Sequence, residues 1–205
     1  MYGNKTETDR VVREKTASCL YLHLMQGQEI PEHIRKQYGF DADYRLLEQI
    51  NEMDFVQYRQ ERLAGKIPDV IEVDARLTRS VEKAFESVCP RPPVPYLDKL
   101  NEELEMLGGM AWSPDYKETI FYKLDFFAKY GIDVKSSREI QLRQIEKAYR
   151  ELDTRFVRMT GRKPYADRLF DSVKAKEPKP ARKDTTGENT RFRQTGRPKG
   201  RKMGF

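Results

Sequence analysis

Few side chains in this sequence are arranged to titrate, ligate or attack. The two cysteines, Cys19 and Cys89, lie seventy residues apart, and the two histidines are His23 and His33. A structural zinc site needs four soft or imidazole ligands at short spacings, and no CxxC pair exists to begin one. Cys19 and His23, four residues apart, share one helix face, but that is half a metal site with no second half. The simpler expectation is a half-buried thiol and a surface histidine. Glu102, Glu103 and Glu105 cluster, but neighbouring carboxylates on a helix are ordinarily solvated, and a glycosidase-type pair needs a cleft. The phosphate-cradling, dinucleotide, zincin and nucleophile-elbow motifs are all missing. The expectation is therefore no catalytic residue, no metal and no cofactor.

The residue types that do recur are cationic. Arg143, Lys147, Arg150 and Arg158 fall along one flank of a predicted helix and form either a solvated face or a basic surface. Beyond them, residues 174–205 hold eleven Lys/Arg against three acids. Within that stretch Arg182, Lys183, Arg191, Phe192, Arg193, Arg197, Lys199, Arg201 and Lys202 suit phosphate backbones, with Phe192 able to stack on a base. Acidic protein surfaces are the competing partner.

Helices must position these groups. Apolar spacing predicts helices over residues 6–26, 42–63, 74–88, 96–107, 115–130 and 165–173, with a short one after Pro31 closed by Gly39. Thr6, Thr8 or Asp9 would cap the first helix, and Asp41 or Asp43 the third. The β-branched run from Ile67 to Val73 predicts a short extended segment, and Gly108-Gly109 a helix stop. Ser136 and Glu139 have capping-box spacing, opening a helix that should run to Met159. Its stripe, Leu142, Ile145, Tyr149, Leu152, Phe156 and Met159, repeats every three or four residues. It either packs on the aromatic helix before it, with Tyr122, Phe126 and Tyr130 in one row and Ile120, Leu124 and Phe127 in another, or pairs with a second chain.

Four prolines within residues 90–95 predict an extended connector, which is also PxxP-spaced for an aromatic docking groove. The expected fold is mainly α: an irregular multi-helix domain, or two helical subdomains split at the Pro-rich connector, with an extended basic C-terminal tail. The divisions are 1–88, acidic and helical; 89–95, the connector; 96–173, the aromatic and heptad helices; and 174–205, the tail. The tail is too polar to offset its own ordering entropy.

Charge sharpens this division. The 205 residues carry a net +6; the tail alone carries +8, which leaves residues 1–173 at −2. Charged residues make up 35% and hydrophobic ones 38%, against about 25% and 45–50% in a typical domain. The polar start and two cysteines predict an intracellular protein, cytoplasmic or in a particle assembled there, with no membrane span. The function these features predict is a non-enzymatic component of a nucleic-acid-containing assembly, a virion such as a phage particle or a ribonucleoprotein. The alternative is an oligomeric DNA-binding or DNA-packaging adaptor joined through the heptad helix.

Overall fold

The computed structural model describes residues 4–119 and 123–176, and these are mainly helical, with no strand among them. The first half holds α1 (Asn4–Gln26), α2 (Glu32–Gln37), α3 (Asp41–Glu52), α4 (Phe55–Leu63) and α5 (Val70–Val88). The second holds α6 (Val94–Trp112), the single turn α7 (Tyr116–Thr119), α8 (Leu124–Tyr130), α9 (Arg138–Thr160) and α10 (Ala166–Lys176). The long apolar periods thus become helices.

The ends differ from expectation where caps compete with periodicity. α1 is already helical at Asn4, so Thr6, Thr8 and Asp9 lie inside it. The helix expected over 42–63 is two: Met53 turns extended (ψ 144°) and Asp54 caps α4, its carboxylate accepting from the Gln57 N–H at 2.8 Å. Asp41 and Asp43 sit in the first turn of α3 behind Phe40. Likewise Asp69 accepts from the Ile71 N–H at 2.9 Å and starts α5 at Val70, inside the stretch expected to be extended. An N-cap bond contributes about 1 kcal/mol and outweighs the weak β preference of a short branched run. The Pro-rich connector ends two residues early, because Pro95 falls in the first turn of α6, where a missing N–H costs nothing. The expected aromatic helix is interrupted at Lys123, and Leu124 is exposed; Ile120 and Tyr122 lie outside the described residues.

The capping box does not form. Ser137 is the N-cap of α9 and makes no side-chain cap bond, Ser136 donates to the Asp133 carbonyl, and Glu139 pairs with Arg143. The loop is held instead by Gln141, which donates to the carbonyls of Val134 and Ser136, and by Gln144, which accepts from the Asp133 N–H. Gly131 and Gly161 close α8 and α9 in the left-handed region, at φ 63° and 73°.

α5 presents Val73, Leu77, Val81 and Phe85 every fourth residue and gathers α1, α3 and α8 around it. α6 pairs with α9, α10 packs across both, and α8 touches α5 and α9. One apolar cluster runs from Leu20 to Val173 across the connector, with the Phe85 and Tyr96 rings edge-to-face at 4.8 Å. A smaller one holds Ile50, Ile67 and Val73. The heptad stripe is occupied within the chain: Ile145, Tyr149, Leu152 and Phe156 are buried and Leu142 packs beside them, chiefly facing α6 rather than the aromatic helix. Of the two expected roles for the stripe, packing within the chain is the one seen, with α6 rather than the aromatic helix as the main partner.

The Gly108-Gly109 pair continues α6 instead of stopping it. A Cβ on Gly109 would lie 2.7 Å from the Tyr116 ring, whereas one on Gly108 would make ordinary contacts at 3.6 Å or more. Gly108→Ala should therefore stabilise the chain by about 0.5–1 kcal/mol through helix propensity. Gly109→Ala should instead destabilise it by about 1–2 kcal/mol through displacement of Tyr116. Urea denaturation of the two variants measures both signs.

Candidate functional site: a buried ion network beneath a cationic cleft

Glu82 and Glu86 are one helical turn apart on α5 and point to the same side, where α6, α8 and α9 converge. Glu82 is 1% exposed, so its charge must be matched within the protein. Lys129 of α8 donates to Glu82 at 2.6 Å and to both oxygens of Glu103, on α6, at 2.9 Å. Arg155 of α9 reaches Glu82 at 3.0 Å and Glu86 at 2.6 Å, and Arg158 one turn on binds Glu86 at 2.8 Å. Tyr96 donates to Glu86 and Tyr130 to Glu103. Lys99 adds a positive charge 3.9 Å from Glu82. Three carboxylates and four cations thus tie four helices together.

The environment sets the ionisation. Burial alone would push the Glu82 carboxyl up, but Lys129, Arg155 and Lys99 outweigh it and hold it below the usual range. Burial would lower the Lys129 ammonium, and Glu82 and Glu103 reverse that and raise it. Tyr96 and Tyr130 are pushed far up by burial and by the adjacent carboxylates, so both phenols stay protonated donors. The Glu82 carboxylate, bound by buried cations, is thus a poor base for an incoming proton.

Another buried acid organises the end of α9. Asp153 accepts from the N–H groups of Tyr165 and Ala166 at 2.8 and 3.1 Å and from Arg162 at 2.7 Å, so it caps α10 from a neighbouring helix. The Tyr149 hydroxyl nearby is pushed up to about 12 by burial and by Asp153.

The predicted basic flank is largely neutralised. Arg143 pairs with Glu139, Arg150 with Glu146 and Asp167, and Arg158 with Glu86. Lys147 is exposed and lines a cleft of about 430 Å³ above the network, with Arg79, Lys129 and Arg155. Arg182, Lys183, Arg191, Phe192, Arg193, Arg197, Lys199, Arg201 and Lys202 lie outside the described residues. Cys19 and His23 are both half-buried, and the His23 ring bonds the Gln28 carbonyl. Among the described residues no three His, Cys, Asp or Glu side chains converge as metal ligands would, and no helix is long and apolar enough to cross a membrane.

Sequence reasoning missed Glu82, Glu86 and Lys129, and it placed Glu103 on a solvated face when that residue is buried. The available signal was a charge set against an apolar face: Glu82 borders the Leu77, Val81, Phe85 stripe, and Lys129 follows Phe126 and Phe127.

Removing one partner of a buried pair strands the others. Lys129→Met should cost about 3–5 kcal/mol in chemical denaturation, and adding Glu103→Gln should recover part of that loss. Because the folded-state pKa of Glu82 is depressed, its contribution is full above the unfolded value of about 4.3 and is lost as pH falls through the folded value. Glu82→Gln should therefore flatten the acid limb of the stability–pH curve below about pH 4, read from urea midpoints. Compared with known proteins, the chain matches no protein-family model, no curated protein and no solved structure.

Proposed function

We propose that this chain is a non-enzymatic structural component of a large nucleic-acid-containing assembly, of the virion or ribonucleoprotein kind, formed in the cytoplasm. Its helical body contacts protein neighbours, and its basic C-terminal segment holds nucleic acid or a neighbouring subunit. One observation carries the reading: the distribution of unmatched positive charge. On α9, Arg143, Arg150, Arg155 and Arg158 are each bound by carboxylates of the same chain. The segment 177–205 holds nine Lys/Arg and only three acids, so its own sequence cannot balance most of its charge. An excess of cations in a polar sequence, with Phe192 able to stack on a base, favours phosphate backbones, whose neutralisation releases condensed counterions.

The contiguous core across the connector supports treating the helical part as one body rather than two subdomains. The competing reading, an adaptor that oligomerises through the apolar seam of α9, is less well supported because that seam is buried against α6 and α10.

The border of the active segment follows from two contacts. Lys174 binds Glu146 and Lys176 sits over the Trp112 ring at 3.5 Å, so both belong to the body. A chain ending at Lys176 should keep the Tm of the full chain. Fluorescence anisotropy with single-stranded and duplex oligonucleotides should show the full chain losing affinity about 10³-fold or more between 50 and 200 mM salt. The shortened chain should bind weakly throughout. Equal binding by both chains at every salt concentration contradicts the proposal.

A further inference from the structure

The cleft above the ion network has a charge balance that the network does not absorb. Its floor is formed by Lys129 and Arg155, its rim by Arg79 of α5 and Lys147 of α9, and among the described residues Glu151 is the one carboxylate lining it. The floor residues differ in what they still offer. The three N–H bonds of Lys129 are taken by Glu82 and Glu103. Arg155 uses Nε and Nη2 on Glu82 and Glu86, which leaves Nη1 with no hydrogen bond among the described residues. Gln144 accepts the Asp133 N–H through its Oε1, so its amide NH2 is also unused at the cleft wall.

The two rim cations stand beside paired neighbours. Arg76, one turn before Arg79, is bidentate on Asp43, and Arg143, one turn before Lys147, is paired with Glu139. Arg79 and Lys147 have no ion-pair partner among the described residues, and both face the same concavity from opposite helices. Beneath them the network holds one more cation than anion, since Lys99, Lys129, Arg155 and Arg158 meet Glu82, Glu86 and Glu103. Low-dielectric walls focus such a field into the cleft.

We propose that this cleft binds a compact oxyanion, a phosphate or diphosphate group, clamped between Arg79 and Lys147 and seated on the free edge of Arg155. A planar guanidinium edge with a free N–H suits phosphate oxygens, and two flanking cations match a dianion. The recess, about 430 Å³ with its free donor on the floor, favours a small phosphorylated molecule over a nucleic-acid duplex, whose backbone cannot follow it down. This site is independent of the tail and goes beyond the function proposed above.

The test uses the full chain and an Arg79→Ala/Lys147→Ala double variant. Both side chains are exposed, so the variant should keep the parent Tm in buffer alone. Calorimetric titration with inorganic pyrophosphate at fixed ionic strength should give saturable binding that the double substitution weakens about 10- to 100-fold, as expected for lost charge-assisted hydrogen bonds. Parallel titrations with inorganic phosphate and a phosphomonoester identify the source: tighter binding of the ester supports an organic ligand, and tighter binding of the ion supports free phosphate. Absence of saturable binding, or equal affinity in parent and variant, overturns the proposal. Oligonucleotide binding by the variant should match the parent. Its loss would assign the cleft to nucleic acid and overturn the small-ligand site, whereas failure of the parent to bind oligonucleotides leaves the pyrophosphate result standing.

Discussion

Lys129 is the side chain on which the arrangement of this protein depends. An ammonium that is 7% exposed is tolerated only if acceptors surround it, and here they come from two other helices, Glu82 on α5 and Glu103 on α6. The short helix α8 has seven residues, too few to be stable alone. It is held by the buried Phe126 and Phe127 together with this charge. Because Glu82 also binds Arg155, fixing α8 on α5 fixes α9 as well. Apolar burial drives the helices together, and the ions decide which orientation satisfies every buried charge.

The same constraint governs the surface. Carboxylates from α5 and α9 neutralise most of the cations on the α9 flank, so a face that reads as basic in one dimension is nearly balanced in three. Arg79 and Lys147 are left facing one cleft without an ion pair among the described residues, and the sequence of the C-terminal segment carries nine Lys/Arg against three acids. The net +6 of the chain is thus a sum over unlike regions.

Much of the helical layout was legible because it rests on local rules. The period of Leu77, Val81 and Phe85, and that of Ile145, Tyr149, Leu152 and Phe156, marks buried faces directly, and Gly131 and Gly161 end helices where a left-handed residue is needed. The α3–α4 break was also present in the sequence, as the capping spacing of Asp54 and Gln57, but a longer apolar period hid it. Glu103 was not legible. It sits among Glu102 and Glu105 with nothing local to distinguish it, and its burial follows from Lys129 and Tyr130 lying across from it, 26 and 27 residues later. The free charges of the cleft share that property, because a cation is unmatched only relative to what folds beside it.

The ion network makes α8 part of the same cooperative unit as α5, α6 and α9. Native-state amide hydrogen exchange tests this most directly. The amides of Ala128, Lys129 and Tyr130 should exchange with the same opening free energy as those of Val81 to Phe85, near the global unfolding value. Exchange of the α8 amides through a local opening several kcal/mol below that of α5 would show that the buried ions do not hold the helices as one unit.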